Sequence, residues 1–331
     1  MNLCTLGTSA VNVTPLGLGL AALGRPGYIN LGHQEDLAGQ LEPAALERHA
    51  HAVLDAAWAA GIRYFDAARS YGLAEAFLAT WLEARGFNPD ELSVGSKWGY
   101  TYTADWQIEA KTHEVKAHTR AKLGEQWRES QNLLGSHLSL YQIHSATLES
   151  GVLDDEAVLE RLAEIKAAGT AIGLTLSGPS QGQTLERALR LETGGQKLFD
   201  TVQATWNGLE RAAEPALKAA HVEGLGVIHK EILANGRLTL RNEAAAFAAK
   251  RKTLEEQAKR LQTTLPALAF AASLSRPWVS VTLSGAATAA QVRESVRSLE
   301  VLWDDEAEDV LTSLREPSEA YWQARAALPW G

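Results

Sequence analysis

A chain of 331 residues with 46% apolar content is long enough to bury a large core, as a globular protein does. Its net charge of −9, from 31 basic and 40 acidic side chains, argues against nucleic-acid binding through phosphates, which needs a basic face. The single cysteine, Cys4, excludes an internal disulfide framework and a cysteine zinc site, and it fits a cytoplasmic location.

The first 17 residues carry neither a basic start nor a compact apolar core, and no run approaches the roughly 18 apolar residues of a spanning helix. They read as a hairpin or lid, and no membrane partner is expected. Residues 13–22 form the first apolar strand. Its Gly17-x-Gly19 invites a dinucleotide fingerprint, but GRPGYINLG follows as loop where a phosphate-binding turn must open a helix. A helix over 43–60 places Leu46, Ala50, Val53, Leu54, Ala57 and Trp58 close to a 3.6-residue period. The stretch 61–72 (GIRYFDAARSYG) then gives a short strand ending near Asp66, a turn with Tyr71, and a helix over 73–84.

Residues 92–98 form a strand bearing Lys97. The Tyr-, Thr- and Trp-rich stretch 99–107 reads as a loop over a pocket, and 113–134 as a polar helix. A strand over 138–144 ends in His144 and is followed by a helix over 154–168. Strand and helix alternate again at 170–177 and 183–191, then at 200–206 and 212–221. After a strand at 225–232 come a charged insertion helix over 242–262 and an apolar helix over 265–275. A last strand at 278–283 precedes helices at 289–302 and 306–315 and a tail to Gly331. Eight strand–helix units without a linker predict one domain over 1–331, a (β/α)8 TIM barrel with parallel strands under helices.

A barrel of this kind gathers its chemistry at the C-terminal ends of its strands. Asp66, Tyr71, Lys97 and His144 all arrive there. Each alone has a plainer reading: a helix cap, a packed ring, a surface charge, a structural histidine. Together they suit proton-coupled reduction of a carbonyl. A lysine ammonium beside a phenol lowers its pKa, and a carboxylate compensates a buried lysine. A neutral histidine orients the carbonyl, and hydride must come from a nicotinamide cofactor because no side chain carries it.

The motifs YFDAARSYGLAEAFL, SVGSKWGY and LYQIH, supported by AIGLTLSG, TVQATWN, GLGVIHKEILANGRLT and LSGAATAAQVRESV, resemble the aldo-keto reductase family over almost the whole chain. The resemblance implies a catalytic tetrad of Tyr71 as general acid, Lys97 beside it, Asp66 holding Lys97, and His144 orienting the carbonyl. It also implies cofactor contacts from Gln203 and from Thr175 with Ser177, where the family usually has a Ser-Asn pair. An aromatic usually stacks on the nicotinamide after strand seven, where this chain has His229 and then Lys230. The adenosine phosphate is usually gripped after strand eight by a segment with a Lys or Arg; here it is Ser284, Gly285 and Thr288, with no Lys or Arg until Arg293. NADP is the expected cofactor, with NAD as the alternative, and the expected substrate is a small carbonyl, sugar lactol or alcohol. Tyr100, Tyr102, Trp98, Trp106 and Trp206 are candidates for its lining. Oligomeric state is not legible.

Two other classes compete. Gly178-Pro-Ser180-Gln-Gly182 fits a nucleophile elbow, with Asp200 and His221 or His229 following, but no oxyanion-hole motif accompanies it. A cofactor-binding regulatory barrel, resembling potassium-channel β-subunits, would keep the same tetrad. No metal site is expected, because His49/His51 and His113/His118 are off-face pairs and no H-E-x-x-H occurs.

Overall fold

The computed structural model describes residues 1–331. Its barrel strands are β1 (Leu16–Gly19), β2 (Tyr64–Asp66), β3 (Ser93–Trp98), β4 (Leu138–Ala146), β5 (Ala171–Leu176), β6 (Thr201–Thr205), β7 (Gly226–Lys230) and β8 (Val281–Ser284). All pair in parallel with their sequence neighbours, and β8 closes onto β1. After a short helix at His33–Leu37, the longer helices are α1 (Pro43–Ala59), α2 (Ala74–Arg85), α3 (Arg120–Leu134), α4 (Glu156–Ala167), α5 (Gln181–Ala188), α6 (Glu214–Val222), α7 (Ala248–Arg260), α8 (Leu265–Leu274), α9 (Ala289–Arg297), α10 (Asp305–Ser313) and α11 (Ser318–Ala326). The result is the expected closed (β/α)8 barrel. No helix is long and apolar enough to cross a membrane.

The strand pleat sorts side chains between two cores. Along β2, Phe65 points outward against Trp81, while Tyr64 and Asp66 share the interior and are hydrogen-bonded at 3.0 Å. Room for the Tyr64 ring comes from two glycines. A Cβ at Gly17 would lie 2.8 Å from the ring, and one at Gly95 would lie 2.4 Å from its hydroxyl. Gly17 thus serves barrel packing.

The N-terminal segment is a hairpin, Cys4–Thr5 against Asn12–Val13. It stoppers the end opposite the strand C-termini. Leu6, Val11 and Val13 pack there on Tyr64, Leu140, Ile228, Val281 and Leu283. Gly7, at φ +61°, bridges Leu225 so closely that any Cβ would meet the Gly226 nitrogen.

Three expectations need correction. The stretch after β3 is loop only in part: Tyr100–Tyr102 pairs antiparallel with Glu114–Lys116, as the polar/apolar alternation of both segments permits, and 103–107 remain irregular. The helix expected from 113 therefore starts at Arg120, where Thr119 accepts the Lys122 amide as N-cap. The tail past α10 holds a further helix, α11, which seats Tyr321 and Trp322 on a second apolar cluster with Leu209, Leu238, Leu254 and Leu268.

Candidate active site

A cavity of about 540 Å³ opens at the C-terminal end of the barrel. Asp66, Tyr71, His144, Thr175, Ser177, Gln203 and Lys230 all line it. Lys97 lies at its floor, 1% exposed, ion-paired with Asp66 Oδ2 and donating to the Ala67 carbonyl oxygen at 2.8 Å. The other Asp66 oxygen accepts from Tyr64 Oη, from Gln142 Nε2 at 3.1 Å and from Gln203 Nε2 at 3.2 Å. A buried ion pair is tolerated when its remaining polar atoms are satisfied in this way.

The Lys97 ammonium is 4.8 Å from the centre of the Tyr71 ring. The Tyr71 and His144 rings meet edge to face at 5.4 Å. Burial, then the Asp66 and Glu114 carboxylates, push the Tyr71 pKa well above its ordinary value, against the pull of Arg25. The expectation of a phenol tuned down towards neutrality is therefore not met here. Asp66 neutralises Lys97, and desolvation dominates. Burial, helped by Lys97 and Lys230, drives the His144 pKa well below its ordinary value, so the imidazole is neutral. Its Nδ1 lies 3.4 Å from Ser70 Oγ, and Nε2 has no partner within the protein.

His144 owes its aim to a break in β4. The pairing with β5 shifts register between Ile143 and Ala146, and Ser145 takes φ +51°. The Ser145 amide donates to Thr175 Oγ1 at 2.7 Å. Thr175 thus holds the backbone behind His144 as well as facing the cavity.

The other expected cofactor positions separate. Gln203, Ser177, Lys230, Ser284 and Gly285 line the cavity. Gln203 Oε1 has no protein partner, and nothing lies within 4 Å of a Cβ built on Gly285. His229 does not stack over the cavity. The pleat of β7 turns it outward, where it stacks on Trp206 and bonds Ser273 at 2.8 Å. Thr288 does not line the cavity either: its hydroxyl accepts the Gln291 amide as the N-cap of α9. Of the aromatic candidates only Tyr100 lines the cavity. Trp98 and Trp206 are buried beneath the rim, Trp106 bonds the Leu41 carbonyl, and Tyr102 packs near Arg25.

Sequence reasoning missed Arg25, Glu114, Glu231 as the partner of Arg325, and Trp330. Arg25 lies in the loop after β1, and its place in a loop at the C-terminal end of a strand was the available signal. Glu231, at φ +57°, receives a two-pronged ion pair from Arg325 on α11 and a hydrogen bond from Thr205. Burial opposes its ionisation, but Arg325 and Lys230 hold its pKa down to about 2. Lys230, donating to Thr205 Oγ1 at 2.8 Å, is itself lowered to about 8 by burial. The Ser180 elbow gains no partners: Asp200 pairs with Lys166, and His229 faces Ser273.

The closed eight-strand barrel agrees with direct comparison. The sequence model of the aldo/keto reductase family matches residues 15–316. The chain belongs to this family. Among solved structures it is similar to aldo-keto reductase AKR11C1 from Bacillus halodurans (holo form), with 21% identity, a TM-score of 0.72, and 96% and 97% of the two chains covered. It is also similar to a chain provisionally described as an aldo-keto reductase from Pseudomonas aeruginosa, with 22% identity, a TM-score of 0.63, and 90% and 95% covered. No curated protein matches the sequence. As an aldo-keto reductase, the chain is an oxidoreductase of small molecules that uses a nicotinamide cofactor.

Proposed function

We propose that this aldo-keto reductase interconverts a carbonyl (aldehyde, ketone or sugar lactol) and its alcohol, with Tyr71 as the proton donor. The observation that carries the reading is the convergence of Tyr71, His144 and Asp66 on one cavity, with Lys97 buried behind them and paired with Asp66. The residues fit a nicotinamide dinucleotide. Gln203 Oε1 and the Ser177 hydroxyl are available to a carboxamide beside the reacting end, and Gly285 leaves open space further along. When bound, the nicotinamide supplies or accepts the hydride.

The side chains divide the proton side of the reaction. His144, neutral, carries its proton on Nε2 if Nδ1 accepts from Ser70, and Nε2–H then donates to the carbonyl oxygen. Tyr71, held protonated, gives its proton to that oxygen as hydride reaches the carbon. Lys97 stabilises the resulting phenolate, and Asp66 keeps the ammonium in place. The protonated phenol is the form that carbonyl reduction requires.

A specific observation favours NAD over the expected NADP. The cavity wall formed by α9 presents Gln291, Glu294 and Ser295, and the cation nearest in the lining, Arg241, is ion-paired with Asp36. A 2′-phosphate would meet a carboxylate there. The test is a panel of aldehydes, ketones and sugars scored by cofactor absorbance with NADH and with NADPH. No turnover with any member would sink the enzymatic reading and leave a cofactor-sensing barrel.

A further inference from the structure

Arg25 lies in the loop between β1 and α1, beside the β2 loop and the hairpin after β3. Its side chain is 2% exposed, yet it lines the cavity. Burying a guanidinium is costly unless its donors are matched. Here they are only half matched. Nη1 donates to the Ser70 carbonyl at 3.0 Å and pairs with Glu114. Nε is buried with no partner, and Nη2 donates to nothing in the protein. Nε–H and Nη2–H form one edge of the guanidinium fork, the edge that takes two carboxylate oxygens side by side.

The surroundings preserve that edge. The rings of Trp330, Tyr28, Tyr71 and Tyr102 surround the guanidinium carbon at 5.0, 5.5, 5.5 and 6.0 Å. They surround the cation, and none of them accepts a hydrogen bond from Nε. Trp330 is fixed over the site because Gly331 exchanges two backbone hydrogen bonds with Tyr28 and the indole stacks on His113 at 3.8 Å. Charge points the same way. Around the reacting end, the cations Arg25, Lys97, Lys230 and Arg325 outnumber the carboxylates Asp66, Glu114 and Glu231.

We propose that Arg25 is a carboxylate-binding site and that the substrates of this enzyme are short oxo acids. The substrate carboxylate sits on the Nε–Nη2 edge, which places its carbonyl between Tyr71 and His144. Hydride adds to the carbonyl carbon and the Tyr71 proton to its oxygen, while the carboxylate is unchanged. Arg25 is a positioning residue for the substrate. The proposal rests on the carbonyl-reduction reading and adds the substrate class to it.

The test compares glyoxylate with its ethyl ester, and 4-oxobutanoate with its methyl ester, in the wild-type enzyme, Arg25→Gln and Glu114→Gln. The wild type is expected to prefer at least one acid to its ester by about tenfold or more in kcat/KM, because a site built to hydrogen-bond a group discriminates against its absence. Arg25→Gln should erase that preference, bringing the acid-to-ester ratio of kcat/KM to about one, chiefly through the KM for the acid. Glu114→Gln, which removes the competing carboxylate, should lower KM for the acid. Equal use of acid and ester by the wild type overturns the proposal, as does an Arg25→Gln variant that loses both alike. Should Arg25→Gln fail to fold by circular dichroism, an unchanged or raised acid KM in Glu114→Gln overturns it instead. Reduction of neutral aldehydes with none of the acids removes this inference alone. No reduction of any carbonyl removes the underlying reading with it.

Discussion

The Lys97 ammonium is held between the Asp66 carboxylate and the Ala67 carbonyl oxygen, with the Tyr71 ring centre 4.8 Å away. In this arrangement the lysine faces the phenol without neutralising it. The proton therefore stays on Tyr71 until a carbonyl oxygen arrives to take it.

Removing that proton is the direct check. Tyr71→Phe should lower kcat by about a hundredfold or more, the usual scale of a general acid, and leave the cofactor Kd within about twofold. Wild-type kcat in this variant would show that another group delivers the proton.

Asp66 and Lys97 should behave as a buried pair rather than as two independent residues. Lys97→Met leaves Asp66 uncompensated, and Asp66→Asn leaves Lys97 so. Each should cost about 3 kcal/mol or more in denaturant unfolding. The double variant should recover most of the stability and none of the activity. Additive losses in the double-mutant cycle would show that the two charges are not coupled.

Arg325 and Glu231 form the corresponding pair between α11 and the strand β7 side of the cavity. Arg325→Met should destabilise by a similar amount, about 3 kcal/mol, because both partners are largely buried. The pH dependence has a definite sign. A carboxylate whose folded pKa lies near 2, below an unfolded value near 4.5, stabilises the fold above pH 4.5 and loses that contribution as pH falls towards 2. Unfolding midpoints of the wild type and of Arg325→Met should therefore converge in strong acid.

The barrel was legible because its strands announce themselves as apolar runs between turns and its helices as 3.6-residue stripes. The gathering of Asp66, Tyr71, Lys97 and His144 was legible because each lies at or just past a strand end, where barrel chemistry collects. Arg25 and Glu114 were not, since they meet from 89 residues apart through a hairpin that read as loop. Arg325 and Glu231 are 94 apart, and α11 buries adjacent Tyr321 and Trp322 rather than a periodic stripe. The role of His229 was misplaced by one step of strand pleat, which turned it from the cavity to Trp206.

Acid stability should follow the buried histidines. Burial holds His33 and His118 at about 4, His229 at about 3, and His144 well below its ordinary value. An unfolded histidine binds its proton below about pH 6.5, so in this window the unfolded state carries more protons than the native one. Stability thus falls as pH drops from about 6.5 towards 4, and each fully titrating histidine contributes up to about 1.4 kcal/mol per pH unit. Thermal unfolding between pH 8 and pH 5 should show a flat Tm above 7 and a steep loss below 6.5. A Tm independent of pH across that range would contradict the neutral state assigned to these side chains.

Cofactor choice should be decided by Glu294. The residue lines the cavity, accepts a hydrogen bond from the Thr264 hydroxyl and has Arg297 3.5 Å away on the exposed side of α9. A 2′-phosphate brings roughly two negative charges near pH 7. Beside an ionised carboxylate in a partly buried wall it is repelled, whereas a ribose diol donates to the same oxygens. Tryptophan-fluorescence titration without substrate should give a Kd for NADH about tenfold below that for NADPH, a difference near 1.4 kcal/mol. Glu294→Lys should reverse the order by replacing the repelling charge with an attracting one, and Glu294→Gln should bring the two values together. Tighter binding of NADPH to the wild type would place the phosphate elsewhere. Arg241 would then be the group to examine, because only release from Asp36 would free it to act as a phosphate clamp.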